Sequence, residues 1–258
     1  MTLEAADLAD LAGPYGAAVL LVFLRVGGAM AGLPAFGEPM LPRTVRLALA
    51  IGFTLVIAPM VIGTPAAMPT PAVLAAAALA EVAVGVALGL VVRGFVFALQ
   101  TAGAVAAQAG SLAQMLGGFA AEPMPALGHL FVLGGLCLAV TAGLHVTLAA
   151  YLVASYDVVP RGVMPAPDAV RSWGVSHLAT SFALALRLAA PFVIGGLLYN
   201  LGLAAINRAM PQLMVSLIGA PALGLGMLAM VALAVPAGLA VWHQDLLAVL
   251  AAPFGVAR

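Results

Sequence analysis

The chain has 258 residues, of which 65% are hydrophobic and only 7% charged; its mean hydropathy is +1.20. A soluble domain of this length carries about 25% charge, so this surface needs lipid or other apolar chains as solvent. Nine basic and nine acidic residues balance, which argues against a nucleic-acid partner, and long apolar runs without alternation argue against a membrane β-barrel. The expected class is all-α: a multi-pass helical membrane protein.

The N-terminus, MTLEAADLADLAG, holds Glu4, Asp7 and Asp10 and no base. A signal peptide begins with positive charge, so the first apolar segment is expected to stay in the mature protein. Seven apolar segments follow, at 15–36, 45–63, 71–92, 94–120, 127–155, 175–206 and 212–247. Proline-rich breaks separate several of them, as in LPAFGEPMLPR, PAAMPTP and EPMP. The longest polar stretch, YDVVPRGVMPAPDAVRSWG, carries Asp157, Arg161, Asp168 and Arg171.

Every basic residue is an arginine, which keeps its charge at any working pH. Arg43 and Arg46 favour a cytoplasmic first loop, and Arg161 with Arg171 favour a cytoplasmic long loop. Simple alternation then puts Arg208 on the outside, against the positive-inside tendency. Either one segment is re-entrant or the chain is not a plain bundle. The last two segments also exceed the roughly 20 residues a crossing needs.

Three charges stand far from the polar loops. Arg25 and Glu81 each lie at the centre of an apolar segment, and Arg187 lies within FALALRLAAPFVIGG. A central charge costs about 2.5–3.5 kcal/mol on insertion scales, so partners are expected. Glu81, Gly85, Gly89 and Arg93 recur at four-residue intervals and form one helix stripe. Arg25 shares a face with Gly28 and Gly32. Glycine stripes let backbones approach closely, so Arg25 and Glu81 are the preferred pair. Such a pair either glues the fold or lines a water-filled path. Arg187 has no central carboxylate left; its expected partner is a backbone carbonyl, water or another subunit. Pro191, four residues on, makes irregular backbone plausible there.

No catalytic, cofactor-binding or metal-binding residues are expected. His129, His145, His177 and His243 are scattered without ligand spacing, Ser111 lacks a nucleophile elbow, and no P-loop is present. Cys137 is the single cysteine and allows no internal disulfide. The sequence does not read as an enzyme.

The fourth segment spaces Gln100, Gln108 and Gln114 among alanines and glycines and ends in QMLGGFAAEPMP. That ending is too rich in glycine and proline for regular helix. It is either an external loop or a flexible element buried in protein or lining a pore, a role that Met115 and Met124 suit.

Four stretches together resemble the FliR/SctT family of type III export-gate proteins: FLRVGGAMAGLPAFGEPMLPRTVRLALAIGFTLVIAP, EVAVGVALGLVVRGFVFALQTAG, QMLGGFA and NRAMPQLMVSLIGAPALGLG. The resemblance covers nearly the whole chain. It implies one copy of this chain in a closed assembly with FliP-like and FliQ-like subunits, joined by FlhB-like and FlhA-like ones. That assembly would form a conduit for unfolded export substrates in the bacterial inner membrane, within the flagellar basal body. A stack of helices partly lifted out of the bilayer is implied as well. Residues 1–174 would form a FliP-like part and residues 175–258 a FliQ-like hairpin, with Asn207, Arg208, Pro211 and Gln212 at its tip. The plug loop of the channel would fall between Gly110 and Pro125, on Gly110, Ser111, Leu112, Gln114, Met115, Leu116, Gly117, Gly118, Phe119, Glu122 and Met124. An injectisome gate subunit and a secondary transporter or ion channel are the alternatives; the latter would share central charges and glycine faces.

Overall fold

The computed structural model describes residues 5–36, 41–63, 69–111, 126–210, 215–252 and 254. Among them lie seven α-helices and no strand: α1 (Ala5–Met30), α2 (Arg43–Val61), α3 (Pro71–Ser111), α4 (Ala126–Thr141), α5 (Leu144–Val158), α6 (Pro167–Ala209) and α7 (Val215–Ala251). Pro71 and Pro167 occupy first helical positions, where the missing N–H costs nothing. Asp168 in the first turn of α6 and Arg208 in its last turn both complement the helix dipole.

Two expected boundaries move. The third apolar segment and the fourth as far as Ser111 form the single helix α3, because no proline or turn separates Val92 from Phe95. Conversely, the fifth segment breaks into α4 and α5, which meet at a 78° bend. Gly143 sits at the break with φ +87°, a left-handed conformation that glycine adopts at no steric cost. Among the described residues, five helices suit a membrane crossing by length and apolarity, or six if the bent pair is one span. α6 runs through Pro191 as continuous helix rather than the irregular backbone expected there.

α3, α6 and α7 have 41, 43 and 37 residues, so each is about 55–65 Å long, close to twice the hydrocarbon thickness of a bilayer. One apolar segment therefore does not equal one crossing. The alternation that placed Arg208 outside loses its premise.

The chain divides into two compact units that interleave along the sequence. The first comprises Met1–Gly94, Val140–Leu178 and Leu246–Arg258. Here α1 packs on α2 and α2 on α5, around buried Val22, Val26, Leu33, Ile57, Leu88 and Leu152. The second comprises Phe95–Ala139 and Ala179–Asp245. Its core holds Leu99, Phe131, Leu184, Phe192 and Trp242. Phe131 and Phe192 meet edge to face at 6.1 Å, and the Trp242 indole donates to the Phe95 carbonyl at 2.9 Å. Within this unit Leu188 lies beside Gly238 and Gly195 beside Met230. Positions rise along α6 as they fall along α7, so the two helices run antiparallel. The residue 174/175 boundary of the expected hairpin falls inside α6.

Candidate functional site

The most elaborate polar arrangement lies in the first unit, where two glycine stripes meet. A Cβ on Gly85 would collide with the carbonyl oxygen of Arg25, and one on Gly89 with that of Ala29. From the other side, a Cβ on Gly28 would stand 2.9 Å from the Val82 carbonyl oxygen, and one on Gly32 would meet Gly89 backbone. α1 and α3 thus touch backbone to backbone, as small-residue stripes allow.

This approach brings Arg25 and Glu81 together, both 0% exposed. Arg25 Nε donates to Glu81 Oε2 at 2.6 Å, and Nη2 donates to Oε1 at 3.2 Å. This is the bidentate fork that guanidinium and carboxylate favour. Two further N–H groups are engaged. Nη1 reaches Ser155 Oγ at 3.1 Å and Nη2 the Val159 carbonyl at 3.0 Å. The guanidinium carbon lies 3.7 Å from the centre of the Tyr156 ring, which adds a cation–π contact. The Ser155 hydroxyl in turn donates a hydrogen bond to the Leu152 carbonyl at 2.7 Å. Glu81 Oε1 also accepts the Gly162 N–H at 2.6 Å.

The cluster explains how two charges sit inside an apolar chain. The 159–162 loop, part of the longest polar stretch, folds back to the level of Arg25 and Glu81. Nearby, Val84 and Leu88 of α3 share one apolar cavity with Val159 of the loop and Ala169 and Trp173 of α6. Helix ends in this unit are therefore staggered, and polar backbone arrives beside residues that segment counting placed at mid-depth. With side chains 1% and 0% exposed, the pair is closed off from solvent within the chain. Its chemistry is cohesion: an excess charge on neither side and four directed bonds from the guanidinium.

Ser155, Tyr156, Val159 and Gly162 were not singled out from sequence. For Gly162 a signal existed, since a glycine inside PRGVMPAP marks a turn. Its φ is +76°, and a Cβ there would stand 3.2 Å from the Ala77 Cβ. Gly162→Val is therefore expected to lower thermal stability by about 1–3 kcal/mol from backbone strain alone, measured as the loss of the monodisperse peak of the chain in complex with its co-expressed partners on heating in detergent. A parent-like melting temperature would mean that the loop is not held in this conformation.

Arg187 differs from its expectation. It pairs within the chain, donating from Nη2 to Asp245 Oδ2 at 2.5 Å. Asp245 was overlooked because it lies near the end of the last apolar segment rather than at its centre. Side-chain exposures of 56% for Arg187 and 30% for Asp245 set this pair apart from the buried one. Asn207 and Arg208 sit exposed at the end of α6, while Pro211 and Gln212 lie outside the described residues. Gly110 and Ser111 close α3. Leu112, Gln114, Met115, Leu116, Gly117, Gly118, Phe119, Glu122 and Met124 lie outside the described residues. Among the described residues no group of three or more His, Cys, Asp or Glu could hold a metal ion.

The chain was compared with known proteins. The sequence model of the bacterial export proteins, family 1, matches residues 17–249. The flagellar biosynthetic protein FliR of Caulobacter vibrioides is 32% identical over 217 residues, covering 81% of this chain and 86% of that protein. FliR of Aquifex aeolicus is 27% identical over 206 residues, with 79% of each chain covered. FliR of Escherichia coli is 30% identical over 201 residues, covering 77% of this chain and 76% of its own.

Proposed function

The chain belongs to the bacterial export proteins, family 1, as a relative of flagellar FliR proteins, and on that premise we propose that it is a subunit of a flagellar type III protein export gate. The match over residues 17–249 carries the reading, because it takes in nearly every helix rather than one motif. All three relatives named above are flagellar, which favours the flagellar over the injectisome system. The proposed site of action is the bacterial inner membrane, and the proposed cargo is unfolded export substrate.

The finer parts of the reading concern assembly. One copy joins FliP-like and FliQ-like subunits, with FlhB-like and FlhA-like subunits adjoining. The segment from residue 175 onward serves as a FliQ-like hairpin, with Asn207 and Arg208 near its tip. Surface chemistry supports a chain built to be covered. Of one 18-residue apolar window within Gly224–Ala251, only 6% is buried within the chain itself. Leu225, Leu228 and Leu233 are each more than two-thirds exposed. Contiguous apolar surface of this kind marks a lipid or protein contact. The chain's part is structural: it supplies wall and fastening, and no bond is made or broken by its residues.

The test is co-expression with the FliP-like and FliQ-like proteins of the same genome. A discrete complex containing one copy of this chain, seen by native mass measurement, is the expected result. Expressed without them, the chain is expected to aggregate or be degraded. A stable, monodisperse monomer in mild detergent that captures neither partner would overturn the assembly reading.

A further inference from the structure

α6 has 43 residues, so about 65 Å of helix must be reconciled with about 30 Å of hydrocarbon. Only half of it can lie in lipid, and its two halves differ. The first half carries Asp168, Arg171, Ser172, Ser176, His177, Thr180 and Ser181. The second half, from Leu188 to Ile206, holds no charged residue and only Tyr199 and Asn200 as polar members. Arg187 bounds this stretch at one end, and Asn207 with Arg208 bounds it at the other. The distance between the two arginines along the helix is about 30 Å, one hydrocarbon thickness.

The antiparallel partner agrees. Leu188 lies beside Gly238, and Arg187 bonds Asp245, so the same level falls in the C-terminal part of α7. There His243, Gln244 and Asp245 interrupt the apolar sequence, which resumes at Leu246. The Arg187–Asp245 pair is partly exposed. An exposed charge pair is costly against hydrocarbon and harmless among headgroups, where water and phosphate take the free donors. Between the two charged levels, Ile194, Leu197, Leu198 and Leu201 are all more than half exposed.

We propose that membrane lipid covers this part of α6 and α7. Acyl chains lie against the stretch from Leu188 to Ile206. One phosphate layer lies at Arg187 and Asp245, and the other at Asn207 and Arg208. Arg187 is then an anchor at the membrane boundary rather than a mid-depth charge, and its free guanidinium donors face lipid phosphate. The first half of α6 stands outside the hydrocarbon. This inference rests on the chain being embedded in a membrane and not on which subunits surround it.

The test is a depth profile. In a Cys137→Ala background, single cysteines at Leu186, Ile194, Leu197, Leu198, Leu201 and Ile206 are labelled with nitroxide. The full chain, with whatever subunits it carries from its native membrane, is placed in vesicles of phosphatidylcholine and phosphatidylglycerol. Collision with oxygen is then compared with collision with a water-soluble nickel chelate. The expected ratio peaks at Leu197 and Leu198 and falls to interfacial values at Leu186 and Ile206. A peak at Leu186 would overturn the proposal, because Arg187 would then lie at mid-bilayer. Low collision with both reagents at Leu197, Leu198 and Leu201 would also overturn it, because protein rather than lipid would cover the face. Subunit content is read from the same samples, so a failed export-gate reading is told apart from a failed depth profile.

Discussion

Glu81→Gln is expected to strip most of the folded chain from the membrane. The substitution leaves Arg25 charged, fully buried and without its carboxylate, and breaking a buried pair on one side costs about 3–5 kcal/mol. That is a large share of the roughly 5–15 kcal/mol that holds a protein folded. Arg25→Gln is expected to do comparable damage, since Glu81 would keep only the Gly162 N–H. The double variant Arg25→Gln, Glu81→Gln removes both charges and is expected to fall short of the summed loss by about 0.5–3 kcal/mol, the range for residues in one network. Yield of folded protein after extraction and its melting temperature provide the measure. Strict additivity would show that the two charges do not act as a unit. Charge reversal adds a second check. With Glu at 25 and Arg at 81, a carboxylate would face the Val159 carbonyl and an arginine would face the Gly162 N–H, where the present residues make bonds at 3.0 and 2.6 Å. Reversal is therefore expected to rescue nothing. Full rescue would mean that neutrality alone matters and the directed bonds contribute little.

Much of this cluster was legible because helical periodicity is local. Spacing of four put Glu81 in line with Gly85 and Gly89, and Arg25 in line with Gly28 and Gly32; depth within each segment did the rest. The loop that completes the cluster was not legible. Its contributions come from backbone groups, the Val159 carbonyl and the Gly162 N–H, and every residue carries those. Ser155 lies 130 positions from Arg25, and no local pattern spans that distance. The all-helical class followed from composition. The length of α3 did not, since Arg93 and Gly94 look like a boundary yet neither stops a helix. The break at Gly143 was equally hidden, because one glycine in TAGLH carries little signal until its φ is known. Asp245 was hidden by the assumption that a charge pairs with another at the same count along its own segment; in an antiparallel pair of long helices, level and count separate.

The contact of α1 with α3 makes the sharpest use of sequence that the fold contains, and Gly85→Leu is expected to destroy it. Even a single Cβ at Gly85 collides with the Arg25 carbonyl oxygen. That atom is helix backbone and cannot rotate away as a side chain would. The two helices must therefore separate, and separation pulls the Arg25 guanidinium off Glu81. Overpacking of a tight contact costs about 1–3 kcal/mol for modest additions, and here the loss of the buried pair follows from it. Gly85→Ala is accordingly expected to lower the melting temperature clearly, and Gly85→Leu to leave little folded protein. Gly27 supplies the control. It is on the same helix as Gly28, one residue away, yet a Cβ there meets nothing within 4 Å. Glycine inside a helix costs about 0.5–1 kcal/mol relative to alanine, so Gly27→Ala is expected to be neutral or stabilising. Gly28→Ala, with the Val82 carbonyl oxygen at 2.9 Å, is expected to lie between. Ranking the three alanine variants by melting temperature in detergent, each in complex with the co-expressed partners, tests the geometry directly. If Gly85→Ala melts with the parent, the backbones of α1 and α3 do not touch there, and the placement of Arg25 against Glu81 loses its cause.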